Sequence, residues 1–251
     1  MRLTHLFFLL IFLILPSCKE QNQNLIKIEG KQIAITDTLS THTDIESFIK
    51  PFRDKLEKDL DSVLAYSVKA YTKNDDELNT AIGNLMTDII FSEANPIFNK
   101  RTGNNIDAVM LNHGGIRSMI PKGPITVRTA YEVMPFENKI VVVGLKGKNI
   151  NDMVSYLVSG KRAHPFLGLK ILLDQDYNLI KATINGENID ENKTYYVATN
   201  DYLYNNGDNM AFFKPSESFL NLDYKVRSAM IDYFKKVDTI NPVRDDRFIR
   251  K

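Results

Sequence analysis

"LNHGGIRSMIPKGPITVRTAYEVMPFENK", residues 111–139, is the stretch on which the reading of this chain turns. The run before it, "IDAVML", is short and apolar and suits a buried strand. That strand would end at Leu111, where Gly114-Gly115 lets the backbone approach a ligand or turn with positive φ. Asn112 offers a donor and an acceptor for a base edge or a hydroxyl. Arg117 offers a planar fork suited to phosphate or ribose oxygens. "TVRTAYEV" fits a short helix, after which Pro135 turns the chain and leaves Phe136 in a loop. A Phe in such a loop either plugs the core or offers one face to a purine. A glycine pair followed by arginine is also a common surface loop, so this stretch does not decide a function by itself.

Working outward, "ATNDYLYNNGDNM", residues 198–210, runs from a strand into a loop dense in Asn, Asp and Gly. Such loops adopt unusual φ values and offer carboxylate acceptors. Tyr202 is a second loop aromatic, and Asp208 could accept from a ribose diol; the plainer reading is a turn with an Asx cap. "IKIEGKQIAI", residues 26–35, alternates like a strand. Residues 43–65 carry apolar residues at helical spacing, with Pro51 marking a start or a kink. Residues 78–94 form a second amphipathic pattern. "KIVVVGLK", "LKILLD", "LIKATING" and "TYYVATN" read as strands, the third ending in an Asn-Gly turn. Helices are expected over 148–160, closed by Gly160, and over 222–237. The irregular alternation predicts an α/β (α+β) chain: one domain, residues 26–251, with a mixed sheet flanked by helices.

In composition the chain is globular, with 43% apolar and 25% charged residues. Lys+Arg (32) and Asp+Glu (31) nearly cancel, so no footprint for a nucleic-acid polymer is expected. An anionic small ligand would be held by a few local cations. With no tryptophan, base stacking falls to Phe and Tyr. At the N-terminus, Arg2 and "LFFLLIFLIL" read as a signal segment, residues 1–17, too short to span a bilayer comfortably. Cys18, the only cysteine, follows it in a layout that resembles a bacterial lipoprotein box. That implies cleavage before Cys18, acylation there, and a polar tether over residues 18–25. The alternative is an uncleaved anchor helix with an incidental cysteine.

Taken in order, "AIGNLMTD", "LNHGGIRS", "GPITVRTAYEVMPFENKIVVVGLKG", "YYVATNDYLYNNGD" and "DDRF" resemble the C-terminal domain of 5'-nucleotidases over about residues 30–250. The resemblance implies a substrate-specificity domain in which a base lies between two aromatics, matching Phe136 and Tyr202. It implies base or ribose contacts from Asn112, Gly114, Gly115, Arg117 and Asn138, with Asp208 on the ribose hydroxyls. The chain departs from the pattern in three places. Tyr202 stands where Phe is usual, Asn206 and Asn209 stand where glycines are usual, and "KNDDELNTAIGN" has no arginine upstream of the "GN" step.

In that family, phosphate release belongs to an N-terminal metallophosphatase domain with two divalent metals. His42, His113 and His164 do not sit in its motifs, so no catalytic residue, metal ligand or cofactor of this chain's own is expected. The sequence therefore reads as a nucleotide-recognition subunit acting on nucleoside 5'-phosphates. The metals and catalysis would come from a separate metallophosphatase chain, and a lipid anchor would hold the subunit in a bacterial cell envelope, periplasmic or at the surface. The alternative is an autonomous nucleotide- or nucleoside-binding lipoprotein without catalysis.

Overall fold

The structure is a computed structural model that describes residues 25–251, so the signal segment and Cys18 lie outside the described residues. Among those residues it is α/β, with six α-helices and three sheets where one sheet was expected. The chain divides between Phe48 and Ile49 into two units.

Helix α1 (Thr43–Leu60) runs through Pro51 without interruption and buries none of its residues, leaving Ile45 and Leu56 exposed. The helical reading of residues 43–65 overran its end. Val63 and Leu64 belong to strand β1 (Val63–Ser67), whose alternate residues Ala65 and Ser67 are buried. The expected strand over 26–35 does not form; those residues carry no regular structure, and alternation without a pairing partner is not enough.

Helix α2 (Ala81–Thr102) starts where Thr80 accepts from the Gly83 amide at 3.2 Å and ends at Gly103 with φ 76°. It is eight residues longer at its C-terminal end than residues 78–94 suggested. Strand β2 (Ala108–Met110) follows, then β3 (Gly123–Thr126), which pairs antiparallel with β1. Helix α3 (Val127–Val133) opens on a capping box between Thr126 and Thr129. Next come strand β4 (Lys139–Lys146) and helix α4 (Gly147–Gly160), which closes on Lys161 in the left-handed region and not on Gly160.

Strands β5 (Phe166–Leu167), β6 (Leu169–Leu173), β7 (Leu179–Ile184) and β8 (Glu187–Asn188) follow. Between β7 and β8, Asn185 and Gly186 both have positive φ, as the Asn-Gly turn predicted. The remaining elements are β9 (Thr194–Asn200), the one-turn helix α5 (Asp201–Tyr204), β10 (Ser218–Lys225), α6 (Val226–Phe234), β11 (Thr239–Ile240) and β12 (Phe248–Arg250). The helix expected from residue 222 begins at Val226, because Ser218–Lys225 are drawn into pairing with β4.

The central sheet has the order β10-β4-β9-β2-β5. Its strands alternate between two cores. Val109, Val142 and Ala198 face α2 and α6, while Met110, Val143 and Val197 face α4. Met86, Ile89 and Ile90 of α2 are fully buried, and each such side chain stabilises by roughly 1.5–3 kcal/mol relative to exposure. Strands β2 and β9 run parallel (Val109 opposite Ala198), so both end at one edge. Strand β4 runs antiparallel to β9 with Ile140 opposite Asn200, so it begins at that same edge. Residues 111–117, 135–138 and 200–209 therefore meet there, beyond the carboxyl ends of the parallel pair, where open α/β sheets place ligands.

Candidate functional site

The three loops enclose a cleft of about 540 Å³ lined by Asn112, Gly114, Gly115, Arg117, Phe136, Asn138, Tyr202 and Asp208, together with Met134, Glu137 and Asn200. All eight expected binding residues line one space. Phe136 and Tyr202 are 42% and 47% exposed, so neither ring is a core plug. A shallower polar depression of about 690 Å³ shares Asn138, Tyr202 and Asp208 with the cleft.

In the first loop Asn112 is buried, and its Nδ2 donates to Asp208 Oδ2 at 2.8 Å. The glycines after it are not in the left-handed region, which corrects one of the two reasons offered for them. The constraint is space: a Cβ on Gly115 would stand 2.7 Å from Asn112 Oδ1. Arg117 folds back, donating to the Gly114 carbonyl at 3.2 Å, with its guanidinium 5.8 Å from the Phe136 ring centre.

In the third loop Asn200 caps α5 by accepting from the Leu203 amide at 2.9 Å, which sets Tyr202 on the first turn. Asn206, Asp208 and Asn209 have φ of 72°, 51° and 59°. Asparagine and aspartate are among the few non-glycine residues that enter this region readily. The two departures from glycine thus preserve a left-handed path. Gly207 is the one position with no room for a side chain, since a Cβ there would meet the Tyr202 ring at 2.4 Å. The Tyr202 hydroxyl donates to Asp208 Oδ1 at 2.9 Å. Asp208 is thereby gripped on both oxygens, by Asn112 and Tyr202, and the bond to the carboxylate raises the Tyr202 hydroxyl above its ordinary pKa. Asn138 donates to Asp201 Oδ1 at 3.0 Å, which ties the second loop to the third.

Sequence reasoning missed several supporting residues. Arg227, buried on α6, donates to the carbonyls of Met134 (3.2 Å), Pro135 (2.9 Å) and Phe136 (3.2 Å), pairs with Glu137, and lies 4.0 Å from the Tyr131 ring centre. The available signal was an arginine one position after Val226 in a helix whose other inward residues are apolar. Lys225 and Arg227 hold the Glu137 carboxyl below its ordinary range. Beneath Asp208, the Tyr156 hydroxyl donates to its carbonyl at 2.9 Å, and the buried His164 lies against the Tyr156 ring. His164 Nδ1 accepts from the His113 amide at 3.3 Å, and burial pushes its imidazole down to about 4.

Among the described residues no group of three or more His, Cys, Asp or Glu could hold a metal ion. The donor groups of the described residues do not fit a dimetal phosphatase centre.

Residues 61–215 match the family model described as "5'-nucleotidase, C-terminal domain", which is more than half of the chain and includes all eight expected binding residues. The chain belongs to that family. Among relatives, it is 21% identical over 236 residues to an apyrase of Tabanus yao, covering 86% of this chain and 43% of the apyrase. It is 25% identical over 223 residues to the cell wall protein Lmo0130 of Listeria monocytogenes, covering 80% of this chain and 28% of that protein. A solved structure of a 5'-nucleotidase precursor from Thermus thermophilus shares the fold, with a TM-score of 0.69 and 23% identity over 83% of this chain and 43% of its own. This chain therefore spans less than half the length of these relatives.

Proposed function

We propose that the chain is the nucleotide-recognition part of a 5'-nucleotidase-type hydrolase, binding nucleoside 5'-phosphates while a separate metallophosphatase chain supplies divalent metals and the chemical step. The observation that carries this reading is the shared cleft of Phe136 and Tyr202, two half-exposed rings that line it together with a doubly held Asp208. In this reading the rings sandwich the base, and Asn112 and Asn138 orient it. Gly114 and Gly115 let the backbone come close, Asp208 accepts from the ribose hydroxyls, and Arg117 steers the phosphate side. Acylated Cys18 holds the protein in a bacterial envelope, periplasmic or at the surface, a location supported by a relative that is a cell wall protein.

The test is a pair of measurements on the purified chain. Ligand-observed NMR should detect adenosine and AMP. A phosphate-release assay with AMP and Mn²⁺, Zn²⁺ or Mg²⁺ should show no turnover. Turnover that disappears in a mutant of this chain would overturn the division of labour, and the absence of nucleoside binding at millimolar ligand would overturn the cleft assignment. Mass spectrometry of the membrane fraction should find a lipidated Cys18; an intact Met1 would exclude the anchor.

A further inference from the structure

His164 does not line the cleft, yet the first loop leans on it. His113 opens the one-turn helix His113–Gly115, and its amide, the first of the turn, has no partner within it. Asn112 stands where a cap would, but it makes no cap bond and turns its Nδ2 to Asp208. The His113 amide is met by the imidazole of His164, whose Nδ1 accepts at 3.3 Å. Two positions earlier, the Leu111 amide donates to the Pro165 carbonyl at 2.8 Å. Both neighbours of Asn112 are therefore tied to residues 164–165.

A backbone amide can only donate, so Nδ1 of His164 carries a lone pair and the ring proton sits on Nε2. Protonation puts a hydrogen on Nδ1. Two donors then face each other, and the His113 amide is left without its acceptor. The His113 ring behaves in the opposite way. A carbonyl can only accept, so His113 Nε2 donates to the Lys73 carbonyl at 3.2 Å, a bond that the charged ring keeps. Burial, then Lys73 and Arg162, hold that ring below its ordinary range. Charging His113 preserves its bond to Lys73, and charging His164 destroys the bond to the glycine loop.

We propose that His164 is a positioning residue that holds the glycine loop against the cleft, and that its protonation releases the loop and with it a bound nucleoside. The second step rests on the stacking cleft proposed above; the release of the loop does not. The groups around the ring come from each element packed on it. From α4, the Tyr156 ring lies 5.5 Å away, and its hydroxyl donates to the Asp208 carbonyl at 2.9 Å, so the same spot supports the third loop. Burial weighs most against a charge on His164; Asp208 favours the charge, and His113 and Arg162 weigh against it. Together they keep the ring neutral down to about 4, below the ordinary 6.5 to which a released ring returns. The released loop therefore binds the proton more readily. As pH falls from 6.5 towards 4, release becomes easier by about tenfold per pH unit.

The experiment compares the intact chain with His164→Asn, whose carboxamide oxygen accepts in place of Nδ1 and does not titrate. Nitrogen NMR of the imidazole at neutral pH should find the proton on Nε2. Hydrogen exchange of the His113 amide, corrected for its intrinsic rate, should show protection falling by about tenfold or more between about pH 6.5 and 5 in the intact chain and staying level in His164→Asn. That protection should lie below that of the α2 core amides, because the loop opens without unfolding the protein. Adenosine affinity by titration should fall across the same range in the intact chain and hold in His164→Asn. The comparison cancels protonation of adenosine and of Asp208, which both proteins share. A proton on Nδ1 at neutral pH, protection that does not change with pH, or a fall that His164→Asn shares overturns the proposal. So does a His113 amide protected as fully as those of α2. Adenosine affinity that stays level while the protection falls overturns the release of ligand. Protection that falls in the intact chain alone, with adenosine binding at no pH, leaves the loop release standing and removes the nucleoside cleft.

Discussion

Tyr202 and Phe136 face one cleft, but they are held there by different means. The Tyr202 hydroxyl bonds Asp208 six positions away, within a loop whose path is set by its own left-handed asparagines and by Gly207. The carbonyl of Phe136 bonds an arginine 91 positions away, on a helix from the other end of the chain. One jaw is encoded where it stands and the other from a distance. The Tyr202 jaw should therefore answer to local changes, and the Phe136 jaw to a substitution far outside the cleft.

The largest effect should come from Arg227→Ala. It removes the donor to three carbonyls and the partner of Glu137, and should cost about 4 kcal/mol in urea unfolding. Adenosine binding should go with it. Unchanged stability would mean that the Phe136 loop holds itself. Next is the pH response of the floor beneath the Tyr202 jaw. The folded-state pKa of His164, about 4, lies below the ordinary 6.5, so the fold favours the neutral ring. Its contribution is complete above pH 6.5 and is lost as pH falls from 6.5 towards 4, by up to about 3 kcal/mol. Unfolding curves across that range should show the fall, and His164→Gln should flatten it. A profile that His164→Gln leaves unchanged would assign the loss to other groups.

Smaller effects test the jaws singly. Phe136→Ala should keep the fold and remove one stacking face, about 1–3 kcal/mol, or one to two decades in adenosine affinity by titration. Tyr202→Phe should be the mildest. The ring stays, and the lost bond to Asp208, at a half-exposed site, should cost under about 1 kcal/mol of stability with adenosine affinity nearly unchanged. A loss as large as that for Phe136→Ala would mean that the hydroxyl, and not the ring, governs this jaw.

The same contrast explains what could be read from the chain beforehand. The glycine motif, the Pro-Phe step and the Asn-rich loop are short, and each carries its residues to the cleft edge through the strand beside it. Strands β2, β4 and β9 of the central sheet were legible because their apolar runs suit burial on both faces, whereas β10 was partly read as helix and β5 was not read at all. Arg227, Lys73 and His164 were not, because their roles depend on contacts 40 or more residues away, which no local pattern carries. Helix α1 was half legible. Its periodicity is genuine, but its apolar residues are not buried, and the spacing ran on into a strand that pairs with β3 and β11. Residues 26–35 misled for the opposite reason, having the pattern of a strand and no partner strand among the described residues.

The left-handed run at Asn206 and Asn209 bears on how such a chain can change over generations. In that conformation asparagine and glycine are near equivalents, so an exchange between them leaves Asp208 where it is. The letters of the loop are free to drift while its shape stands still. The position that cannot drift is Gly207, fixed by the flat side of a tyrosine ring.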